Sequence, residues 1–318
     1  MSSQHNAQPL LFITAGDPLG IGPEICVKAL QDPQVRAACR PVLIGEEHSL
    51  KKAGFTPDLA ERIALEWPQE APRAHAPSQW GGMISFKALQ LACKLAEQHP
   101  HTAVVTAPIS KQSWALAGVP FTGHTEFLRK YYGPHALMMF ASGTLRCALA
   151  SEHFAIKDLS RILTQERIVR AGKDFADALK KLGCPHPRLA VSALNPHGGD
   201  KGRFGKEEGQ TILPAVEALR RAHIRAEGPY PIDSLWLAHT RGQFDGLLCL
   251  YHDQALLGLK LAAREPIVHL TAGLRFLRTS PAHGTAFDIA GQNKADPASM
   301  IAAILFAAAR TRPPEIFN

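Results

Sequence analysis

Three histidines in this 318-residue chain share one setting: each follows a strand-length apolar run by no more than three residues. The runs lead from Leu145 to His153, from Leu189 to His197 and from Leu247 to His252. Ligands of open α/β sheets bind outside the carboxyl ends of the strands, so three imidazoles placed there can converge. Neutral imidazoles hold a divalent cation and leave coordination positions open for a substrate. The plainer alternative is that each histidine closes its own strand by bonding a local carbonyl, since the chain has 15 histidines. Asp253, adjacent to His252, suits a carboxylate that orients the imidazole, a further oxygen ligand or a simple turn residue.

Other segments concentrate polar chemistry without a strict motif. The loop from Asn195 to Gly205 is rich in glycine and basic residues, but Lys206 is followed by Glu207, which rules out GxxxxGK[ST]. The glycines Gly16, Gly20 and Gly22 do not have the GxGxxG spacing of a Rossmann fingerprint. Thr122-Gly-His124-Thr125-Glu126 offers an imidazole, hydroxyls and a carboxylate for a polar substrate, or else a helix start capped by Thr122 or Thr125. His283 to Gly291 is bracketed by glycines, and Lys260 and Arg278 before it are cations suited to phosphate or carboxylate.

Strands and helices must carry these groups. Leu10–Thr14, Ala103–Val105, Leu189–Leu194 and Leu247–Leu250 read as strands. Glu24–Leu30, the Ala88/Leu91/Ala92/Leu95 stripe, Ile168–Leu182 and Ile212–Leu219 read as helices. The alternation implies an α/β chain with a largely parallel sheet, long enough for two lobes with an interdomain cleft. Hydrophobic residues at 46% and charged residues at 20% exclude disordered and fibrous classes. A net charge of +7 suits an anionic partner. The basic residues are scattered, which argues against nucleic acid and for a small phosphorylated or carboxylated ligand. Six cysteines without a CxxC pair read as reduced core residues. The start MSSQHNAQPL lacks a signal-peptide pattern, and Met300–Ala309 is too short an apolar run to span a bilayer, so cytoplasm and no membrane partner are expected.

Taken together, Gly16-Asp-Pro-Leu-Gly-Ile-Gly-Pro-Glu24, Thr106-Ala-Pro108, Thr122–Glu126, Leu194–Gly198, Tyr251–Gln254, Arg278–Ser280 and His283–Ala286 resemble the 4-hydroxythreonine-4-phosphate dehydrogenase family. The resemblance runs from the first strand to the last helix. It implies a two-lobed fold like that of isocitrate and isopropylmalate dehydrogenases, with residues 1–127 plus 272–318 as the nucleotide-binding lobe and 128–271 as the metal-binding and dimerisation lobe. It implies metal-dependent, NAD- or NADP-linked oxidation of 4-phosphooxy-L-threonine to 2-amino-3-oxo-4-phosphooxybutanoate, which decarboxylates to 3-amino-2-oxopropyl phosphate. Oxidation of D-threonate or D-erythronate 4-phosphate is the alternative within the superfamily, and a non-catalytic metal- or anion-binding protein is the rival outside it. By the same resemblance His153, His197 and His252 are metal ligands for zinc, magnesium or cobalt. His124, Thr125, Lys260, His269 and Arg278 are substrate contacts, and His283, Gly284, Asp288 and Gly291 hold the cofactor. The chain departs from the family pattern at His269, usually asparagine, and at Arg275, usually proline. The adenine-contacting asparagine of the relatives corresponds here to Asp296. A homodimer with shared active sites is implied, with His153 and His197 on one βα stretch and His252 presented to a neighbour.

Overall fold

The computed structural model describes residues 8–66, 72 and 74–311. Most of the N-terminal stretch read above for targeting lies outside them. The strands are β1 (Leu10–Thr14), β2 (Arg40–Glu46), β3 (Glu61–Leu65), β4 (Ala103–Thr106), β5 (Leu137–Ser142), β6 (Leu145–Leu149), β7 (Arg188–Ser192), β8 (Arg225–Tyr230), β9 (Gly246–Cys249), β10 (Val268–Ala272) and β11 (Leu277–Pro281). The helices are α1 (Gly22–Gln31), α2 (Pro33–Ala38), α3 (Glu47–Lys52), α4 (Gln79–Gln98), α5 (Lys111–Leu116), α6 (His124–Tyr132), α7 (Leu159–Ile162), α8 (Gln165–Lys181), α9 (Leu213–Arg221), α10 (Ile232–Thr240), α11 (His252–Ala262) and α12 (Ala298–Ala308). None of the described helices is long and apolar enough to cross a membrane.

The chain forms two compact units. The first runs to Pro134, takes in Val268–Leu270 and resumes at Leu274; the second comprises His135–Ile267 and Thr271–Gly273. In the first unit the strand order is β3-β2-β1-β4-β11-β10, with β3/β2, β2/β1, β1/β4 and β4/β11 parallel. Its inner strands are continuous apolar runs, and residues 11–14 of β1 and all of β4 are buried, as parallel strands covered on both faces require. In the second unit the order is β5-β6-β9-β7-β8. Here β6, β9, β7 and β8 run parallel, whereas β5 and β6 form an antiparallel pair.

Sequence periodicity explains the helices that flank these strands. In α8 the residues Ile168, Ala171, Phe175 and Leu179 form the buried stripe, Thr164 caps the first turn by accepting from Arg167 N, and Lys180 and Lys181 close the last turn. Phe175 is fully buried, and cutting it to alanine removes roughly 3–5 kcal/mol. Two elements differ from the sequence expectation. Pro229-Tyr-Pro231 suggests a break, yet β8 runs through Pro229; it is the outermost strand of its unit's order, where a missing N–H costs no ladder bond. Ile212 ends a π-turn, Glu208–Ile212, and α9 begins only at Leu213.

Candidate functional site

In the second unit the three histidines follow the carboxyl ends of adjacent parallel strands. His153 follows β6, His252 follows β9 and His197 follows β7. Buried polar side chains knit these ends together. Gln254 Oε1 accepts from Leu250 N at 2.9 Å and from Ser192 Oγ at 2.7 Å, and its Nε2 donates to Ala193 O at 2.7 Å. On the other side Ser151 Oγ donates to Leu250 O at 2.6 Å. The rings of His153 and His252 come together, with centroids 5.3 Å apart. Two imidazoles bound tetrahedrally at about 2.1 Å from one ion place their centroids about 5 Å apart. His252 Nδ1 stands 2.8 Å from Asp253 Oδ1; the ionised carboxylate only accepts, so Nδ1 carries the proton and Nε2 is left as the donor atom for a metal. Among the described residues no three His, Cys, Asp or Glu side chains gather as a complete ligand set.

His197 opens a left-handed turn. Residues His197 to Lys201 have φ of 54°, 65°, 77°, 42° and 57°, a conformation costing roughly 1–2 kcal/mol for each non-glycine residue. The turn rests on Glu208, which is 7% exposed. Its Oε1 accepts from Leu194 N at 2.9 Å and Asn195 N at 2.7 Å, and its Oε2 accepts from Asn195 Nδ2 at 3.0 Å. Burial pushes this carboxyl up, but the Asn195 side chain and the Asn195 and Leu194 amides hold it below the usual glutamate range.

The first unit holds a second polar group. Arg278, 2% exposed, donates from Nη2 to Thr106 Oγ1 at 2.6 Å and from Nη1 to His269 Nδ1 at 3.2 Å. Burial pushes this guanidinium down to about 10. Because arginine only donates, His269 Nδ1 must accept, and the ring proton sits on Nε2. Ser280 Oγ is also 3.2 Å from that Nδ1. His124 begins α6, edge-on to the buried Trp114 at 5.7 Å between centroids. Burial first, then Arg278 and His269, depresses its pKa well below 6.5. Its Nε2 is buried with no hydrogen-bond partner among the described residues. Thr125 is half-buried in the first turn of α6. That helix is not capped by a threonine; Gly123 is the N-cap, and Glu126 reaches back to accept from Thr122 N at 2.7 Å and Thr122 Oγ1 at 2.8 Å. Lys260 lies exposed on α11 of the second unit.

The two glycine segments of the first unit meet: Ile21 N donates to Thr285 O at 2.9 Å. Gly16, with φ +73°, lets the chain pass so close to Pro108 that a Cβ would stand 2.2 Å from its carbonyl oxygen. The next residue, Asp17, is fully buried and accepts from Ser113 Oγ at 2.7 Å and Leu19 N at 3.1 Å. Beside these segments lies a cavity of about 340 Å³ lined by Gly20, Glu24, Lys52, His75, Gly291 and Asn293. Asn293 rather than Asp296 faces it; Asp296 Oδ1 is engaged with Ala298 N at 2.9 Å at the start of α12. His283, Gly284 and Asp288 are exposed on the segment leading to Gly291, and no atom lies within 4 Å of a Cβ built on Gly284.

Sequence reasoning missed Glu208, Gln254, Thr106 and Ser280 as functional partners. The last three sit inside quoted motifs, so their polarity was visible. Glu208 lies 13 residues beyond the asparagine it holds and had no local signal.

Known proteins resemble the chain along most of its length. Residues 37–307 match the model of the family described as pyridoxal phosphate biosynthetic protein PdxA. The chain is 38% identical over 325 residues to a 4-hydroxythreonine-4-phosphate dehydrogenase of Desulforapulum autotrophicum, covering 95% of each. It is 37% identical to a putative D-threonate 4-phosphate dehydrogenase of Symbiobacterium thermophilum, covering 94% of this chain and 96% of the relative. The crystal structure of 4-hydroxythreonine-4-phosphate dehydrogenase from Klebsiella pneumoniae superposes with a TM-score of 0.86 at 30% identity, over 98% of this chain and all of that one. An α/β chain with imidazoles at three adjacent strand ends and a buried arginine, matched along nearly its whole length, belongs to the PdxA family of oxidoreductases.

Proposed function

We propose that the chain oxidises the C3 hydroxyl of 4-hydroxythreonine 4-phosphate with NAD or NADP and a divalent metal, giving 2-amino-3-oxo-4-phosphooxybutanoate, which loses carbon dioxide to leave 3-amino-2-oxopropyl phosphate. The observation that carries this reading is the meeting of the His153 and His252 rings, 5.3 Å apart, at the ends of the paired strands β6 and β9. The imidazole donors, the 5.3 Å ring spacing and the Asp253 carboxylate behind His252 fit a resident metal such as zinc or cobalt better than magnesium, which prefers oxygen ligands. When bound, the metal supplies Lewis-acid stabilisation of developing oxygen charge, and the nicotinamide supplies a hydride acceptor.

The chain's own groups supply binding and orientation. Arg278, held on Thr106 and His269, presents a fixed cation to a phosphate or carboxylate, and Lys260 offers a second. His269 Nε2–H donates to a substrate oxygen, and His124, kept neutral, accepts or donates without adding charge. Thr125 adds a hydroxyl. The cavity beside Gly291 and Asn293, with the exposed His283, Gly284 and Asp288, takes the dinucleotide.

The working form is a homodimer. His153 and His252 of one chain form a pair, and the partner subunit's His197 completes the set. The 5.3 Å ring spacing of His153 and His252 supports this pairing over that of His153 with His197. Exposed Leu257 and Leu261 follow His252 along α11, with Leu237 exposed on α10, an apolar surface suited to a second copy.

The test is formation of reduced nicotinamide with 4-hydroxythreonine 4-phosphate and with D-threonate 4-phosphate, each with NAD and NADP. Activity should vanish on chelation and return with added metal. A higher kcat/KM for D-threonate 4-phosphate would move the chain to the activity named for the Symbiobacterium relative.

A further inference from the structure

We infer that Glu208 is a positioning residue for His197, holding the imidazole in its left-handed turn; this rests on the reading of His197 as a metal ligand. The strand β7 ends at Ser192, and five residues later the chain must turn His197 outward. Between them, Leu194 N, Asn195 N and Asn195 Nδ2 all donate to the one buried carboxylate. Asn195 Nδ2 also donates to Glu207 Oε2 at 2.9 Å, so the residue two before His197 is clamped from both carboxylates.

The carboxylate also shapes the turn itself. Gly199 packs flat against it: a Cβ there would stand 2.6 Å from Glu208 Oε2, and the residue has φ +77°. His197, Asp200 and Lys201 adopt positive φ without being glycine. Such a conformation persists only where surrounding contacts fix it. The π-turn beginning at Glu208 is a costly local form that commonly marks a functional constraint, and here it sets the carboxylate under the turn. Both carboxylate oxygens of Glu208 are engaged by Leu194 and Asn195, so it acts through the direction of His197.

Titrating the metal-free proteins with Co²⁺ and following the visible absorption of the bound ion tests this, with thermal unfolding of the metal-free forms measured alongside. Glu208→Gln keeps the size but sets an N–H or a weaker acceptor against three donors. It should weaken Co²⁺ binding by roughly 10–100-fold while the metal-free unfolding temperature shifts by only a few degrees. Gly199→Ala, which displaces the carboxylate without altering it, should weaken binding in the same direction. His197→Ala is the reference. If it binds Co²⁺ as the unmodified chain does, the metal reading fails. If it loses the ion while Glu208→Gln keeps full affinity, or loses only thermal stability, the positioning role is overturned. Should Glu208→Gln not fold, Gly199→Ala with unmodified affinity overturns it equally.

Discussion

A guanidinium at 2% exposure is held in place by geometry rather than by solvent, and Arg278 makes two such contacts, to Thr106 and to His269. The second contact fixes the tautomer of His269, so a ligand at its Nε2 meets a donor. Asparagine also donates, and His269→Asn should leave the ratio of kcat/KM for 4-hydroxythreonine 4-phosphate over D-threonate 4-phosphate within about threefold, roughly 0.7 kcal/mol. A reversal of preference would show that the imidazole itself selects the substrate. His124 carries a pH prediction. Its folded pKa is depressed by burial and by the neighbouring Arg278 and His269, so the unfolded chain takes up a proton near pH 6.5 that the folded chain refuses. Stability present above 6.5 is therefore lost as the pH falls below it. His239 is depressed by burial as well and adds to the same slope. Urea midpoints measured from neutral to about pH 5 should fall less steeply in His124→Asn than in the unmodified chain; an unchanged slope would contradict the assignment.

At the scale of elements, the strand ends put the histidines in place, and these were readable because each apolar run stops just short of an imidazole. The pairing of His153 with His252 was not readable, since it depends on β9 lying beside β6, a fact of sheet order. The β5/β6 antiparallel pair and the edge strand through Pro229 escaped for related reasons: one contradicts the parallel rhythm, the other carries a residue that usually ends strands. Glu208 escaped because its partners lie across a loop with no periodicity. In the first unit, the contact of Ile21 with Thr285 joins the Gly16–Gly22 loop, which lacks the Rossmann spacing, to the segment that the resemblance assigns to the cofactor. Bound dinucleotide should accordingly slow hydrogen exchange in His283–Gly291 and at Lys52–Gly54 across the cavity. Protection that spares His283–Gly291 would place the cofactor elsewhere.

For the whole molecule, the exposed Leu257 and Leu261 on α11 and Leu237 on α10 support the proposed pairing of two copies. A twofold assembly gives each copy the same pair of mixed sites. Breaking different ligands in different chains separates the possible arrangements. His197→Ala and His252→Ala chains should each be inactive alone. After verified subunit exchange, a mixed dimer keeps His153 and His252 on one chain and His197 on the other, so one of its two sites is intact. His153→Ala mixed with His252→Ala gives no such site, because both changes strike the same pair. Formation of reduced nicotinamide should recover in the His197→Ala/His252→Ala mixture and not in the His153→Ala/His252→Ala mixture; no recovery in the first would contradict a metal site completed by the partner's His197.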